Sequence, residues 1–148
     1  MRRLGWGVKA SLRHYVEDSS SGHIESRDGA ERDGRSVFWF PSVDAVDDAD
    51  SRIDVLRFAG SVEFVGHHGM LSLPIRDPWL ESRRSGYVLS IVDPDDRAAR
   101  VDFVTVGHIG TGPTGIIGGR VALTADGADL ILGPYEEGTE FDDLEVES

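Results

Sequence analysis

Gly60-Ser61-Val62-Glu63-Phe64-Val65-Gly66-His67-His68-Gly69 is the stretch that decides the fold class. Its first half alternates polar and apolar residues, which predicts a β-strand with one buried face, because successive side chains of a strand point to opposite sides. Two histidines between glycines follow where the strand ends. Alternation places them on opposite faces, so at most one of the two points into any single pocket.

Other short segments have the same strand character and are separated by turn residues. Asp28-Gly29 predicts a hairpin turn, and a second turn is predicted at residues 93–96. The predicted strands cover residues 23–26, 36–40, 52–58, 70–75, 87–92, 100–106, 121–124 and 130–132, with a last strand in the acidic tail. Residues 44–50 and the glycine-rich residues 108–119 are predicted loops, and Asp126-Gly127 is a predicted turn. This pattern predicts a mainly β fold, an antiparallel β-sandwich or barrel-like domain.

One short helix is predicted near the N-terminus, in Gly5-Trp6-Gly7-Val8-Lys9-Ala10-Ser11-Leu12-Arg13-His14-Tyr15-Val16. Val8, Leu12 and Tyr15 are spaced as one face of a helix, so Tyr15 is expected at the end of an apolar face. The serines and glycine of residues 19–22 end the helix. A helix of two to three turns is marginal in isolation and depends on tertiary packing.

Composition limits the classes of function. The 148 residues are enough for one domain, predicted to span 1–148. The absence of cysteine excludes disulfides and thiolate metal sites. The net charge of −12 opposes nucleic-acid binding, which needs clustered Lys and Arg. The N-terminus shows no apolar run of signal-peptide length and no stretch approaches a membrane span, so a cytoplasmic location is expected.

Residue patterns alone do not select a catalytic site. The five histidines show no zinc-protease spacing, no Gly-x-Ser-x-Gly elbow is present, and residues 108–119 do not match a phosphate-binding loop. We therefore expect no enzyme. On patterning alone, Tyr15 is more simply a core-facing aromatic than a ligand. By the same reasoning His67 and His68 mark a strand end, with one ring packed and the other solvated.

Four short motifs occur in order along the chain: Trp6-Gly7-Val8-Lys9 with Ser11-Leu12-Arg13 and Tyr15, residues 60–71, Leu123-Thr124-Ala125-Asp126-Gly127-Ala128, and Tyr135-Glu136-Glu137-Gly138-Thr139-Glu140-Phe141-Asp142. Together they resemble the HtaA domain of actinobacterial heme-uptake proteins. The resemblance extends from near residue 4 to near residue 146.

The resemblance implies a β-rich domain that binds ferric heme b through a tyrosine on the N-terminal helix. It implies that a histidine at the F-x-G-H-x-G strand end hydrogen-bonds that tyrosine. Tyr15 and His67 occupy these positions. Phenolate is a hard donor that suits Fe(III) and is an established heme ligand, which fits a carrier or buffer that holds ferric heme and can release it. Heme donor or acceptor proteins are the implied partners.

The remaining site predictions are less specific. Walls of the heme site could come from Trp6, Phe38, Phe40, Phe64 or Met70, and each of these is equally well explained as ordinary core. Arg13, Ser20 and Ser21 are candidates for the propionates by proximity alone. The alternative function is a degenerate HtaA-like protein-interaction module with no heme. A third hypothesis is an enzyme that acts on heme or another small ligand, but no set of residues in the sequence requires it.

Overall fold

Two antiparallel sheets form the framework in a computed structural model that describes residues 2–19, 21–43, 55–66, 68, 70–131 and 135–148. The nine-stranded sheet has the order β3-β4-β1-β12-β11-β10-β9-β8-β5, and the three-stranded sheet has the order β2-β6-β7. The strands are β1 Arg3–Trp6, β2 His23–Arg27, β3 Glu31–Arg32, β4 Phe38–Pro41, β5 Val55–Arg57, β6 Ser61–Gly66, β7 Leu71–Arg76, β8 Trp79–Arg83, β9 Gly86–Asp93, β10 Asp96–Gly112, β11 Gly115–Leu123 and β12 Leu144–Glu147. Two helices are described, α1 Ala10–Glu17 and α2 Ala125–Leu130. The predicted mainly antiparallel β fold is confirmed.

The core lies where the two sheets and α1 meet. Phe64 on β6 points from the small sheet toward Phe38 on β4 of the large sheet, with ring centroids 5.9 Å apart in an edge-to-face arrangement. Six aromatic residues are fully buried: Trp6, Phe38, Phe40, Phe58, Phe64 and Phe103. Alternation along β6 therefore has its physical basis in one covered face, as the sequence predicted.

The prediction that residues 108–119 form a loop is wrong. β10 and β11 pair in one register from Val104↔Leu123 to Gly112↔Gly115, so this region is a long hairpin. Its glycines leave room for neighbouring side chains. A Cβ on Gly118 would lie 2.8 Å from Leu144 Cδ1, and one on Gly112 would lie 2.4 Å from Ile117 Cδ1. Glycine is needed for packing in these strands, whereas the sequence pattern treats it as a loop signal.

Other local predictions also need correction. Asp28-Gly29 does form a turn, but β2 pairs with β6 and β3 pairs with β4, so the turn connects two sheets and is not a hairpin. Residues 125–130 form α2, not a turn and a strand, because Thr124 Oγ1 accepts a hydrogen bond from Gly127 N at 2.8 Å as an N-cap. β1, β3 and β8 were not predicted, and Gly5 and Trp6 belong to β1 and not to the predicted N-terminal helix. The predicted loop at 44–50 lies outside the described residues.

Neither described helix is long and apolar enough to cross a membrane.

Candidate functional site at the end of the first helix

The N-terminal end of α1 is capped by a residue from the other end of the chain. Lys9 occupies the N-cap position, and a lysine side chain has no acceptor atom with which to cap the helix. Instead, Asp142 Oδ1 accepts a hydrogen bond from Ala10 N at 3.2 Å. Lys9 Nζ in turn donates to Glu140 O at 2.6 Å. The segment before β12 therefore supplies the cap that the local sequence lacks.

The same aspartate ties the segment that enters α1 to the core. Asp142 Oδ2 lies 2.9 Å from Arg13 Nη1, which also donates to Gly7 O at 2.5 Å. Trp6 Nε1 donates to Asp142 O at 2.8 Å, and Asp142 N donates to Val8 O at 2.9 Å. A Cβ on Gly7 would lie only 2.6 Å from Arg13 Nη1, so glycine makes room for this ion pair. The Trp-Gly, Arg13 and Phe-Asp motifs thus meet in one network.

The C-terminal end of α1 is anchored to β3. Glu17 accepts two hydrogen bonds from the Arg32 guanidinium, at 2.9 and 2.8 Å. Arg32 also donates to Ser36 Oγ at 2.9 Å. The hydrogen bonds from Arg32 are the main reason why the pKa of Glu17 lies below its ordinary value of 4.5. Both ends of this short helix are therefore fixed by residues distant in sequence.

Acidification is expected to weaken the Glu17–Arg32 anchor. Since folding lowers the pKa of Glu17, its stabilisation is complete above pH 4.5 and is lost as pH falls through the lower folded-state value. Because Glu17 is exposed, Arg32→Gln should lower the unfolding free energy by only about 0.5 to 1 kcal/mol at pH 7. Urea unfolding at pH 7 and pH 3 measures this difference. A difference that does not shrink at pH 3 contradicts the assignment.

Tyr15 lies on the outer side of α1, with 47% of its surface exposed. The prediction that it ends the buried apolar face is wrong. The helix begins at Ala10, so Val8 lies before it and cannot be part of its apolar face. The buried face of the helix consists of Leu12 and Val16, four residues apart. Tyr15 is next to Val16 in sequence and projects from the flank of that face. Tyr15 is therefore a surface residue of α1 and not a core residue.

The end of α1 is adjacent to the end of β6. A Cβ on Gly66 would lie 3.9 Å from Val16 Cγ2, so the residue before His67 lies near the residue after Tyr15. Ser21 Oγ accepts a hydrogen bond from His68 N at 3.2 Å, which joins the segment after α1 to the turn after β6. The two motifs that carry Tyr15 and His67 therefore lie at the same edge of the domain. His67 itself lies outside the described residues.

The two residues that the structure describes between β6 and β7 are both exposed. His68 has a φ of 55°, in the left-handed region that histidine enters more often than most residues. Met70, just before β7, is 75% exposed. An unbranched thioether side chain adapts well to flat apolar ligands. Of the predicted wall residues, Met70 has an open surface at this edge.

The other predicted wall residues are in the core. Trp6 and Phe64 have no exposed surface, and Phe38 and Phe40 are likewise fully buried. These placements support the interpretation that the four residues are ordinary core residues. A direct role for Trp6 or Phe64 in a ligand site stays a prediction. Arg13 is only 12% exposed and is paired with Asp142, so its guanidinium is already engaged by protein. Ser21 is described at the turn, whereas Ser20 is outside the described residues.

The remaining histidines are dispersed. His14 is exposed on α1, His23 on β2 lies 3.5 Å from Glu25 Oε1, and His108 is exposed on β10. His23 pairs in register with Val65, so it is near the same end of β6 as the candidate site. Within the ranges that the structure describes, no three His, Cys, Asp or Glu side chains form a metal-binding cluster. A ligand that brings its own metal, bound through one protein atom, is compatible with this arrangement.

Three surface cavities elsewhere are small. Their volumes are about 150, 140 and 170 Å³, below the range of about 300–1,000 Å³ for drug-sized ligands. They lie beside Pro74 and Arg97, beside Trp39 and Pro41, and beside Gly7 and Ile117, respectively. None of the three is lined by Tyr15.

Gly22 fixes the close approach of the chain to the end of α1. A Cβ at this position would lie 1.9 Å from Val16 O, a backbone atom, so the helix end would have to shift. We expect Gly22→Ala to destabilise the protein by about 3 kcal/mol. Gly34→Ala is the matched control, because nothing lies within 4 Å of its Cβ position, and it should change stability by less than about 0.5 kcal/mol. Equal urea midpoints for the two variants would contradict this packing.

Comparison with known proteins identifies the family. The HtaA family model matches residues 1–147. The chain belongs to the HtaA family. The C-terminal domain of HtaA from Corynebacterium glutamicum has a similar fold, with a TM-score of 0.71, 22% identity, and coverage of 98% of this chain and 93% of that one.

Two further solved structures share the fold of this HtaA-family domain. The N-terminal domain of HtaA from Corynebacterium glutamicum has a TM-score of 0.66 at 23% identity, covering 98% of this chain and 94% of that one. The heme-binding protein HtaB from the same organism has a TM-score of 0.63 at 19% identity, covering 99% and 96%. No match was found among curated proteins.

Proposed function

We propose that this HtaA-family domain binds ferric heme at the edge formed by α1 and the β6–β7 turn. Tyr15 Oη would be the axial ligand of the iron, and His67 would hydrogen-bond the phenolate oxygen. The observation that carries the proposal is that α1, fixed at both ends, presents an exposed Tyr15 beside the strand that leads to His67. The description of HtaB as a heme-binding protein supports the same function.

The side chains at this edge of the domain are suited to heme. Heme supplies a ferric iron that takes an axial ligand and a flat apolar macrocycle with acidic propionates. Tyr15 offers a hard oxygen donor, which suits Fe(III) better than Fe(II). Met70 offers an exposed apolar surface, and Ser21 offers a hydroxyl within the turn. Tyr15, Met70 and Ser21 could therefore contact heme at the surface of the domain.

A carrier or buffer is the role that this donor set supports best. A tyrosine ligand stabilises the ferric state, and protonation of the phenolate or reduction of the iron weakens the bond, so heme can be released. His67 would accept or return a hydrogen bond at the phenol and so tune the pH at which release occurs.

A hemin titration of the purified protein tests the proposal. We expect a Soret shift that saturates at one hemin per chain at micromolar concentration. The absence of any shift would overturn the proposal and favour the alternative, a protein-interaction module of the same fold.

A further inference from the structure

Within the described part of the chain, Asp142 makes four hydrogen bonds, two to the segment that leads into α1 and two to the first turn of α1. Its main-chain N and O bond Val8 and Trp6, and its two carboxylate oxygens bond Ala10 and Arg13. We propose that Asp142 is a positioning residue for the ligand site: it sets where Tyr15 lies by fixing the start of α1. This inference rests on the proposed function, because it concerns how the same site is held.

The start of α1 needs an external acceptor. The first backbone N–H groups of any helix have no partner within the helix, and α1 has only eight residues. An aspartate carboxylate there both accepts a hydrogen bond and interacts favourably with the positive end of the helix dipole. Helices this short are marginal without tertiary contacts. The Asp142 carboxylate thus fixes the position of the first turn of α1 through its bonds to Ala10 and Arg13.

The chain also enters α1 through a strained residue. Val8 has a φ of 68°, a left-handed conformation that is rare for a β-branched side chain. The bond from Asp142 N to Val8 O, at 2.9 Å, holds it there, and the Val8 side chain is fully buried. Strain of this kind persists only when surrounding contacts over-determine the conformation. The direction in which α1 leaves β1 is therefore set by Asp142 together with the core.

Asp142 is itself held rigidly. It follows Phe141, whose ring packs 5.7 Å from Phe103 and 6.2 Å from Trp6, centroid to centroid. It precedes β12, which pairs with β1 from Trp6↔Leu144 to Arg3↔Glu147. The Asp142 carboxylate therefore links the position of α1 to the position of the core. Tyr15 lies five residues beyond Ala10, a rise of about 7.5 Å along the helix, so a shift in the first turn moves the phenol.

Three variants test the role of Asp142. Asp142→Ala removes both carboxylate contacts, whereas Asp142→Asn keeps an oxygen for Ala10 N but loses the charge that pairs with Arg13. Asp143→Asn is the matched control, because it makes the same charge change at the adjacent, exposed position. Hydrogen exchange of the α1 amides in the hemin-free protein reports the helix directly, and hemin titration reports the site.

We expect Asp142→Ala to speed exchange of the α1 amides by at least about tenfold and to weaken hemin binding by about tenfold, the range for residues that orient a ligand. Asp142→Asn should be intermediate, and Asp143→Asn should match the unmodified protein. In a Tyr15→Phe background, Asp142→Ala should have no further effect on residual hemin affinity, because Asp142 acts through Tyr15. If Asp142→Ala does not fold, Asp142→Asn carries the same comparisons.

Unchanged α1 exchange and hemin affinity in the Asp142 variants would overturn the inference while leaving the proposed function intact. An equal loss of affinity with and without Tyr15 would also overturn it, because the effect would then be a general loss of structure. If the unmodified protein binds no hemin, the proposed function fails, and the inference about Tyr15 fails with it.

Discussion

Replacing Tyr15 with phenylalanine is expected to weaken hemin binding by at least about a hundredfold. The reason is that Tyr15→Phe removes the one oxygen that would bond the iron and leaves the ring, the helix and the core unchanged. Replacing a residue that only orients a metal ligand lowers the affinity for the metal about 10- to 100-fold, and replacing the ligand itself should lower it more. Absorbance titration with hemin measures the affinity, and the high-spin ferric spectrum of a tyrosine-ligated heme should disappear.

Tyr87→Phe is the matched control for this experiment. Tyr87 lies on strand β9 and is 36% exposed, so the change removes a partly exposed phenol outside α1. It should leave hemin binding unchanged. His67→Ala should weaken binding about tenfold, less than Tyr15→Phe does, and should alter the pH dependence of binding. Equal affinity in Tyr15→Phe and the unmodified protein would show that another residue binds the iron.

Truncating Phe64 is expected to destabilise the whole domain by about 3–5 kcal/mol. Phe64 has no exposed surface, and its ring fills the space between the two sheets beside Phe38. Phe64→Ala should therefore lower the unfolding free energy of the hemin-free protein, as measured by urea denaturation. A residue that only lined a ligand site would show a much smaller effect in the absence of hemin.

Met70→Ala provides the contrast at the same edge of the domain. Because Met70 is 75% exposed, its truncation should change stability by less than about 0.5 kcal/mol. It should lower hemin affinity if its side chain contacts the macrocycle. A large stability loss in Met70→Ala with a small one in Phe64→Ala would contradict the division between core and ligand surface.

The fold could be predicted from sequence wherever a strand has one buried face. β6, β7 and β12 satisfy that condition, and their alternation is visible in the sequence. Prediction failed where the same local sequence pattern, such as a glycine or an Asp-Gly pair, is compatible with two different structures. Glycines in β10 and β11 make room for neighbours such as Leu144, and Asp126-Gly127 lies in a helix because Thr124 caps it. Which of the two structures forms is decided by tertiary contacts.

The candidate site could be predicted only in part for the same reason. The spacing of Leu12 and Tyr15 indicates a helix, but it does not show that Leu12 and Val16 face the core while Tyr15 faces outward. The role of Asp142 depends on contacts with Ala10 and Arg13, more than a hundred residues away in sequence. No local pattern identifies such a cap, although the motif resemblance included the residue.

The crystal structure of the hemin complex tests the central claim most directly, through the distance between the heme iron and Tyr15 Oη. We predict that this oxygen lies at bonding distance from the iron, with His67 in hydrogen-bond contact with the same oxygen. Iron bound instead by His14, His23, His68 or His108, or heme located away from α1, would contradict the account.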